Sequence, residues 1–429
     1  MKARQIGLAV AGTAMAVVMA LPASAQDPIK IGSSLPLTGG FAVTGTKHKE
    51  GFEMCVKMIN EAGGLLGRPV ELIVSDNRSD TETALAQYER LINVDDVDIT
   101  FGTFSSKLSF PVSSVLNKNG MLHPIPSGGA LRIWEQGFDN QFYFQQNAGE
   151  YAGRTVVNAL KDLTGDDIPK TAALVHADDF FANGIRAGFL GEQVMDPGSG
   201  ELVRDMAPGF LADAGIEVVY TETWPEEGFS DWLNLANSIK NSNAELVIGL
   251  TASAEEAVQL TRALKTVQAN PKAIYLSQGT QLEFQEGVGA DSEGVMVQSS
   301  WDGAVPFQGV INGEDYSNQD FMRDFEAEFD RAADEDSAIP FALCQGIEQA
   351  IRATDSVDNQ KLIEWLRART KEEPVKTVLG DFYWDERGLP YDRDFLLVQW
   401  QGEQIKFVYP TEGMGDIISP IVYPKPDWN

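Results

Sequence analysis

Ile29-Lys30-Ile31-Gly32-Ser33-Ser34-Leu35 alternates apolar with small or polar residues over a strand's length, and Pro36 stops it. The turn Leu37-Thr38-Gly39-Gly40-Phe41-Ala42-Val43-Thr44-Gly45 follows. Phe52, Cys55, Val56 and Ile59 then fall at i, i+3, i+4 and i+7, one buried face of a helix. Gly63-Gly64 ends that helix where a left-handed residue is wanted. Val70-Glu71-Leu72-Ile73-Val74 is a second strand. Strand, helix and strand with short joints make a βαβ unit, whose crossover is right-handed.

The alternation continues downstream. A helix is predicted over Thr81–Asn93, a strand over Asp98–Phe104, and a further helix from Ser105-Ser106. Met121–Pro126 and Gln141–Gln146 are short strands. The pattern then restarts with a helix at Glu150–Leu163, a strand at Thr171–His176 and a helix at Phe180–Val194. Strands at Ile216–Thr223, Leu246–Thr251, Lys272–Ser277 and Gly294–Ser300 alternate with helices near Phe229–Lys240 and Ser253–Val267. A restart of this kind marks an α/β chain with two doubly wound parallel-sheet lobes. Pro197, Gly198 and Gly200 cannot continue a helix, so Asp196 to about Gly209 reads as a tolerated surface insertion. Helices at Asn318–Ala333, Phe341–Thr354 and Asn359–Arg369 return to the first lobe, with Phe321, Phe325 and Phe329 as a core stripe. Gly380–Gly388 and Phe395–Trp400 read as terminal strands crossing back, and Thr411–Asn429 as a surface tail.

Met1 to Ala25 has the layout of an export signal: Lys2 and Arg4, an apolar run from Ile6 to Leu21, and Ala23-Ser24-Ala25 before Gln26. Its removal takes two of 33 basic residues and leaves 31 against 63 acidic, a net charge of −32. Such a surface repels nucleic acid and anionic lipid and suits a freely diffusing protein. No second apolar run is long enough to span a bilayer. Cys55 and Cys344 are the only cysteines; export to an oxidising compartment permits a disulfide between them, but both sit on apolar helix faces and two buried free thiols are the expected state. Asp334-Glu335-Asp336 lacks the pattern of a calcium loop and is read as a charged loop.

No catalytic apparatus is visible. His48, His123 and His176 belong to no metal motif, and there is no Gly-x-Ser-x-Gly elbow and no Walker loop. Neither metal nor cofactor is expected. Binding has better candidates, because ligands of open α/β sheets lie beyond the carboxyl ends of the strands. Ser105 and Ser106 stand there at a helix start, where free N–H groups favour an anion. Ser127-Gly128-Gly129 ends the neighbouring strand and lets a ligand approach the backbone. Phe41 and Thr44 are placed at the entrance.

Pro36-Leu37-Thr38-Gly39, followed by Ile59-Asn60-Glu61-Ala62-Gly63-Gly64-Leu65-Leu66-Gly67-Arg68-Pro69-Val70-Glu71-Leu72, resembles the opening of periplasmic solute-binding proteins of the leucine/isoleucine/valine-binding type. The resemblance covers nearly all of the chain after the signal. It implies lobes of residues 26–146 with 305–372 and 147–304 with 373–429, joined by three crossings, with a solute in the cleft between them. It implies a periplasmic receptor, mostly monomeric in the family, that hands its solute to ABC permease subunits; a sensor module without transport is the rival reading. Ser106 matches the family's carboxylate-binding serine, and Ser127 and Gly128 match positions offering main-chain groups. Phe181 matches an aromatic lid, Thr251 a further strand end, and Trp301 lies near the second crossing. Arg78 and Ser105 occupy the family's usual disulfide positions, so that bridge is absent. Gly129 and Gln278 stand where the family's amino-acid binders commonly place a hydroxyl and a carboxylate for the ligand's ammonium. The expected solute is therefore a carboxylate with an apolar or aromatic body, or an amide-like compound. A branched-chain amino acid is the alternative, with Asp178 or Asp179 supplying the missing charge.

Overall fold

The computed structural model describes residues 1, 27–195, 200–203, 209–226 and 228–428. The expected export signal, apart from Met1, and residues 196–199 and 204–208 of the expected insertion lie outside the described residues.

The first third of the chain builds β1 (Ile29–Leu35), α1 (Ala42–Glu61), β2 (Val70–Asp76), α2 (Thr81–Asn93), β3 (Ile99–Thr100), α3 (Ser106–Lys118), β4 (His123–Ile125) and β5 (Gln141–Tyr143). The series restarts with α4 (Ala152–Thr164), β6 (Thr171–Asp178), α5 (Phe180–Leu190), β7 (Val194–Met195), β8 (Leu202–Val203), α6 (Phe210–Asp213) and β9 (Glu217–Pro225). It continues through α7 (Trp232–Ser242), β10 (Leu246–Leu250), α8 (Ala254–Thr266), β11 (Ala273–Leu276), α9 (Leu282–Val288) and β12 (Val295–Ser299). A hairpin, β13 (Gln308–Ile311) and β14 (Glu314–Ser317), precedes α10 (Asn318–Phe329), α11 (Glu335–Thr354) and α12 (Asn359–Arg367). β15 (Val375–Thr377), β16 (Gly380–Phe382), β17 (Leu396–Gln401) and β18 (Gln404–Tyr409) close the chain.

β2-β1-β3 is a parallel sheet, with Ile31 opposite Leu72 and Ile99, and β4 pairs with β5 beside it. The larger sheet runs β18-β17-β12-β11-β10-β6-β9; its β6, β9, β10, β11 and β12 are parallel, and β17 and β18 add antiparallel edges. Each sheet has its own core. Ile31, Phe52, Phe101, Phe321, Phe341 and Ile347 belong to the first, and Leu174, Ile248, Ile274, Val297 and Leu397 to the second. Three segments carry the chain between them: Phe144 to Ala152, Val297 to Trp301, and Trp384 to Phe395. Val375, Val378, Leu379, Phe382 and Trp384 pack in the first core, so the chain stays with the first unit beyond residue 373.

Three expectations are corrected. Cys55 and Cys344 are joined by a disulfide with Cα atoms 6.3 Å apart, and are not free thiols. The two apolar helix faces that carry them, on α1 and α11, pack against each other, and that brings the sulfurs together. Asp334-Glu335-Asp336 is a helix start and not a loop. Asp334 accepts from Ser337 N–H and Ser337 reaches back, a capping box, and acids suit the positive end of the helix. The helix therefore begins six residues before Phe341 and runs through Pro340. Finally, Thr411–Asn429 does not simply drape over the surface, because Trp428 is buried in the second core.

Candidate functional site

The carboxyl ends of the strands in both units face one cleft, and the helix starts that follow them supply its polar wall. Ser105 caps α3, accepting from Leu108 N–H, with φ at 73° and ψ at 151°. That backbone region is close to glycine-only, and strain of this kind is held where the surrounding structure over-determines it. Ser106 accepts from Ala130 N–H at 3.1 Å, which leaves its own O–H to donate. Gly129 has no room for a side chain: a Cβ would lie 2.9 Å from both the Phe181 ring and the Tyr143 hydroxyl. Phe181, carried on α5, therefore seats directly on the Ser127–Gly129 turn.

The Ser127 hydroxyl is tied into the wall by His48 and Gln145. His48 Nδ1 faces the Thr44 carbonyl at 3.1 Å, and a carbonyl only accepts, so Nδ1 carries the proton. The Ser127 hydroxyl then donates to Nε2 at 3.2 Å and accepts from Gln145 Nε2 at 3.2 Å. Full burial lowers the His48 pKa to about 4 and keeps the ring neutral. Ser127 is thus an anchor of the turn, and what it offers the cleft is its main chain.

The cleft encloses about 650 Å³, its mouth included. Phe41, Ser105, Ser106, Ser127, Gly128, Gly129, Phe181 and Gln278 line it, as do Phe104, Tyr143, Gln145, Phe395 and Ile339, which the sequence did not single out. Thr44, Thr251 and Trp301 do not line it. Thr44 donates to Asp336 at 3.2 Å from behind the wall. Thr251 is buried at its strand end, with its hydroxyl unpartnered among the described residues. Trp301 turns into the first core, where its indole donates to Asn318 at 2.7 Å and its ring meets Phe321 edge-on.

Three acids complete the wall: Asp179, Glu335 and Asp336. Asp179 caps α5, accepting from Phe181 and Ala182 N–H at 2.8 and 3.0 Å, and burial raises its pKa. Glu335 accepts from Ser300 N–H at 2.7 Å, Ser299 at 3.0 Å and Thr280. All three donors belong to the second unit or the crossing that leaves it. Burial and then mutual repulsion with Asp336 raise the Glu335 pKa; burial and then Asp334 raise that of Asp336. No lysine, arginine or histidine is among the described residues lining the cavity.

Contacts across the cleft show that the two units are closed on each other. Lys47 on α1, 7% exposed, reaches Asp334 and, in the other unit, Glu283, each at 2.7 Å. Burial opposes its charge, but these carboxylates outweigh burial and raise its pKa. Lys107 pairs with Glu226 at 2.9 Å, and Gln281 donates to Asp336 at 3.1 Å. His123 is buried with Nε2 unpartnered among the described residues, and burial lowers its pKa to about 3; it is a packed histidine.

Residues 28–404 match the family model for periplasmic binding proteins. The chain is 26% identical over 410 residues to the Leu/Ile/Val-binding protein homolog 1 of Brucella melitensis, covering 93% of this chain and 97% of that one. It resembles the solved LivJ of Streptococcus pneumoniae in complex with isoleucine, with a TM-score of 0.71 and 18% identity over 90% of this chain and all of that one. It also resembles a solute-binding protein from R. palustris in complex with benzoate, with a TM-score of 0.69 and 18% identity over 89% of this chain and 95% of that one. No helix among the described residues is long and apolar enough to cross a membrane. The relatives of this chain are solute-binding proteins and not enzymes, and the chain belongs to the periplasmic binding protein family.

Proposed function

We propose that the protein is the exported receptor of an ABC importer and closes its two units on an amino-acid-sized solute with a carboxylate and an apolar body. The observation that carries this reading is the meeting of two walls in one cavity. The α3 start, with Ser105 and Ser106, lies opposite Phe181 and Phe395 from the other unit. Free N–H groups and a spare hydroxyl accommodate a carboxylate, and the rings accommodate its body. The ligands held by the two solved proteins, isoleucine and benzoate, both fit that description. Contacts made from both units in the closed form give the solute its means of shifting the population toward closure. Removal of the signal after Ala25 and docking on permease subunits follow from the same reading.

Native mass spectrometry of the purified protein, followed by titration with leucine, phenylalanine and benzoate, tests it. A retained or added carboxylate that is weakened at least tenfold by Ser106→Ala supports the proposal. Absence of binding by every small carboxylate overturns it.

A further inference from the structure

A second cavity adjoins the first. It encloses about 990 Å³, its opening included, and shares two wall residues with the inner cleft, Phe41 and Ala252. Phe41 comes from the first unit and is held in place: its ring lies edge-on to Phe104 at 5.4 Å, and its N–H donates to Ser79 at 3.1 Å. Ala252 is the second unit's share of the threshold, and its single methyl keeps the passage open.

Beyond the threshold stands an aromatic platform. Trp224 is 1% exposed, and its indole N–H donates to Glu256 at 3.0 Å. Phe229 and Trp232 pack on it with ring centroids 6.1 and 5.3 Å away, and 4.6 Å from each other. Trp224 belongs to the second core, whereas Phe229 and Trp232 are only half-buried and line the cavity. The other oxygen of Glu256 accepts from Ala252 N–H at 2.7 Å, so one carboxylate ties platform and threshold together. Lys107 is the one base among the described wall residues and is already paired with Glu226 at 2.9 Å, which leaves the wall with Glu255 and Glu256 in excess.

Building on the carboxylate reading, we propose that this vestibule is the outer half of the solute site and takes an aromatic ring at the far end of the solute. The solute is then an elongated acid. Its carboxylate lies at the α3 start, its chain runs past Phe41 and Ala252, and a ring without negative charge packs on Phe229 and Trp232. Fixed rings favour another ring by offset or edge contact, and a platform already ordered by Trp224 and Glu256 costs the solute little to use. The surplus of acids rejects a second carboxylate at that end.

Two ladders of probes test this by calorimetry on the wild-type protein: ω-phenylalkanoates from phenylacetate to 9-phenylnonanoate, and their 2-amino counterparts beginning with phenylalanine. In one ladder, affinity should exceed that of the unphenylated acid of equal chain length by about tenfold once the ring reaches the vestibule, the scale of one buried aromatic contact. Trp232→Ala should remove that gain and leave phenylacetate and phenylalanine unchanged. Trp232→Tyr should keep most of it, which separates loss of the ring from damage to the fold. The short member should displace the long one, and the α,ω-dicarboxylate of equal length should bind at least tenfold more weakly than the phenyl acid. No gain in either ladder, a gain that survives Trp232→Ala, simultaneous binding of short and long members, or a dicarboxylate as tight as the phenyl acid overturns the inference and leaves the carboxylate reading standing. Failure of every member of both ladders, and of leucine and benzoate with them, overturns both.

Discussion

Two helix starts face the same cavity and present opposite chemistry. α3 begins with Ser105 and Ser106, uncharged groups and free N–H donors; α11 begins with Asp334, Glu335 and Asp336, which only accept when ionised. Both starts have the same positive dipole end. At α3 no acid of the first turn complements that end. At α11 the chain's own acids already complement it, and their outer surface is what the cavity meets. A helix start thus turns donors or acceptors toward a cavity according to whether its first turn supplies the negative charge itself.

The comparison can be tested from its foundations to its details. The acidic start belongs to a helix stapled to α1 by Cys55–Cys344, across 289 residues of sequence. Replacing both cysteines by alanine should lower stability by about 2–5 kcal/mol, read by chemical denaturation, because the staple constrains the unfolded chain. An unchanged midpoint in the oxidised wild type and the double variant would show that α1–α11 packing alone holds the acidic start.

Glu150 supports the neutral side by accepting from Leu131 N–H. Burial raises its pKa from 4.5 to about 7, so the native state binds the extra proton between those values. Stability from this residue is therefore full below pH 4.5 and falls as pH rises through 7. The loss is on the order of 3 kcal/mol at 1.36 kcal/mol per unit. Glu150→Gln should flatten the melting temperature between pH 4.5 and 8 and leave it higher at pH 8; a variant with the wild-type slope counts against this account.

Gly129→Ala places a Cβ against Phe181 and Tyr143. Overpacking of this kind costs about 1–3 kcal/mol, and here the cost falls on the closed form, so scattering should show a more open particle and binding should weaken. The smallest effect is at Ser105. Its φ of 73° is better suited to glycine, and Ser105→Gly should raise stability by about 1 kcal/mol or less, since glycine caps cost only a few tenths. A loss of stability would show that the serine hydroxyl outweighs the strain.

Local pattern made the α3 side legible. Strand, helix and turn signals between Ile29 and Gly129 lie within short windows, and the serines stand where any α/β sheet places its ligand groups. Asp334-Glu335-Asp336 read as a charged loop, although Asp334 and Ser337 three residues later form a capping box and the helix runs through Pro340. The burial of these acids depends on Thr44, Gln281, Ser299 and Thr280, which lie far away in the chain. Trp301 shows the reverse error: an aromatic near a crossing reads as a ligand contact, and only Asn318 and Phe321 reveal that it points inward. The pairing of Cys55 with Cys344 likewise depended on which faces of α1 and α11 meet.

The bond between α1 and α11 has one further consequence. Lys47 and Thr44 travel with one helix, Asp334 and Asp336 with the other, and the sulfurs make these a single plate. Closure then consists of Glu283 and Gln281 arriving at a template that was assembled when the chain folded. The ordering cost of that half of the grip falls at folding, so a visiting solute need arrange only the other half.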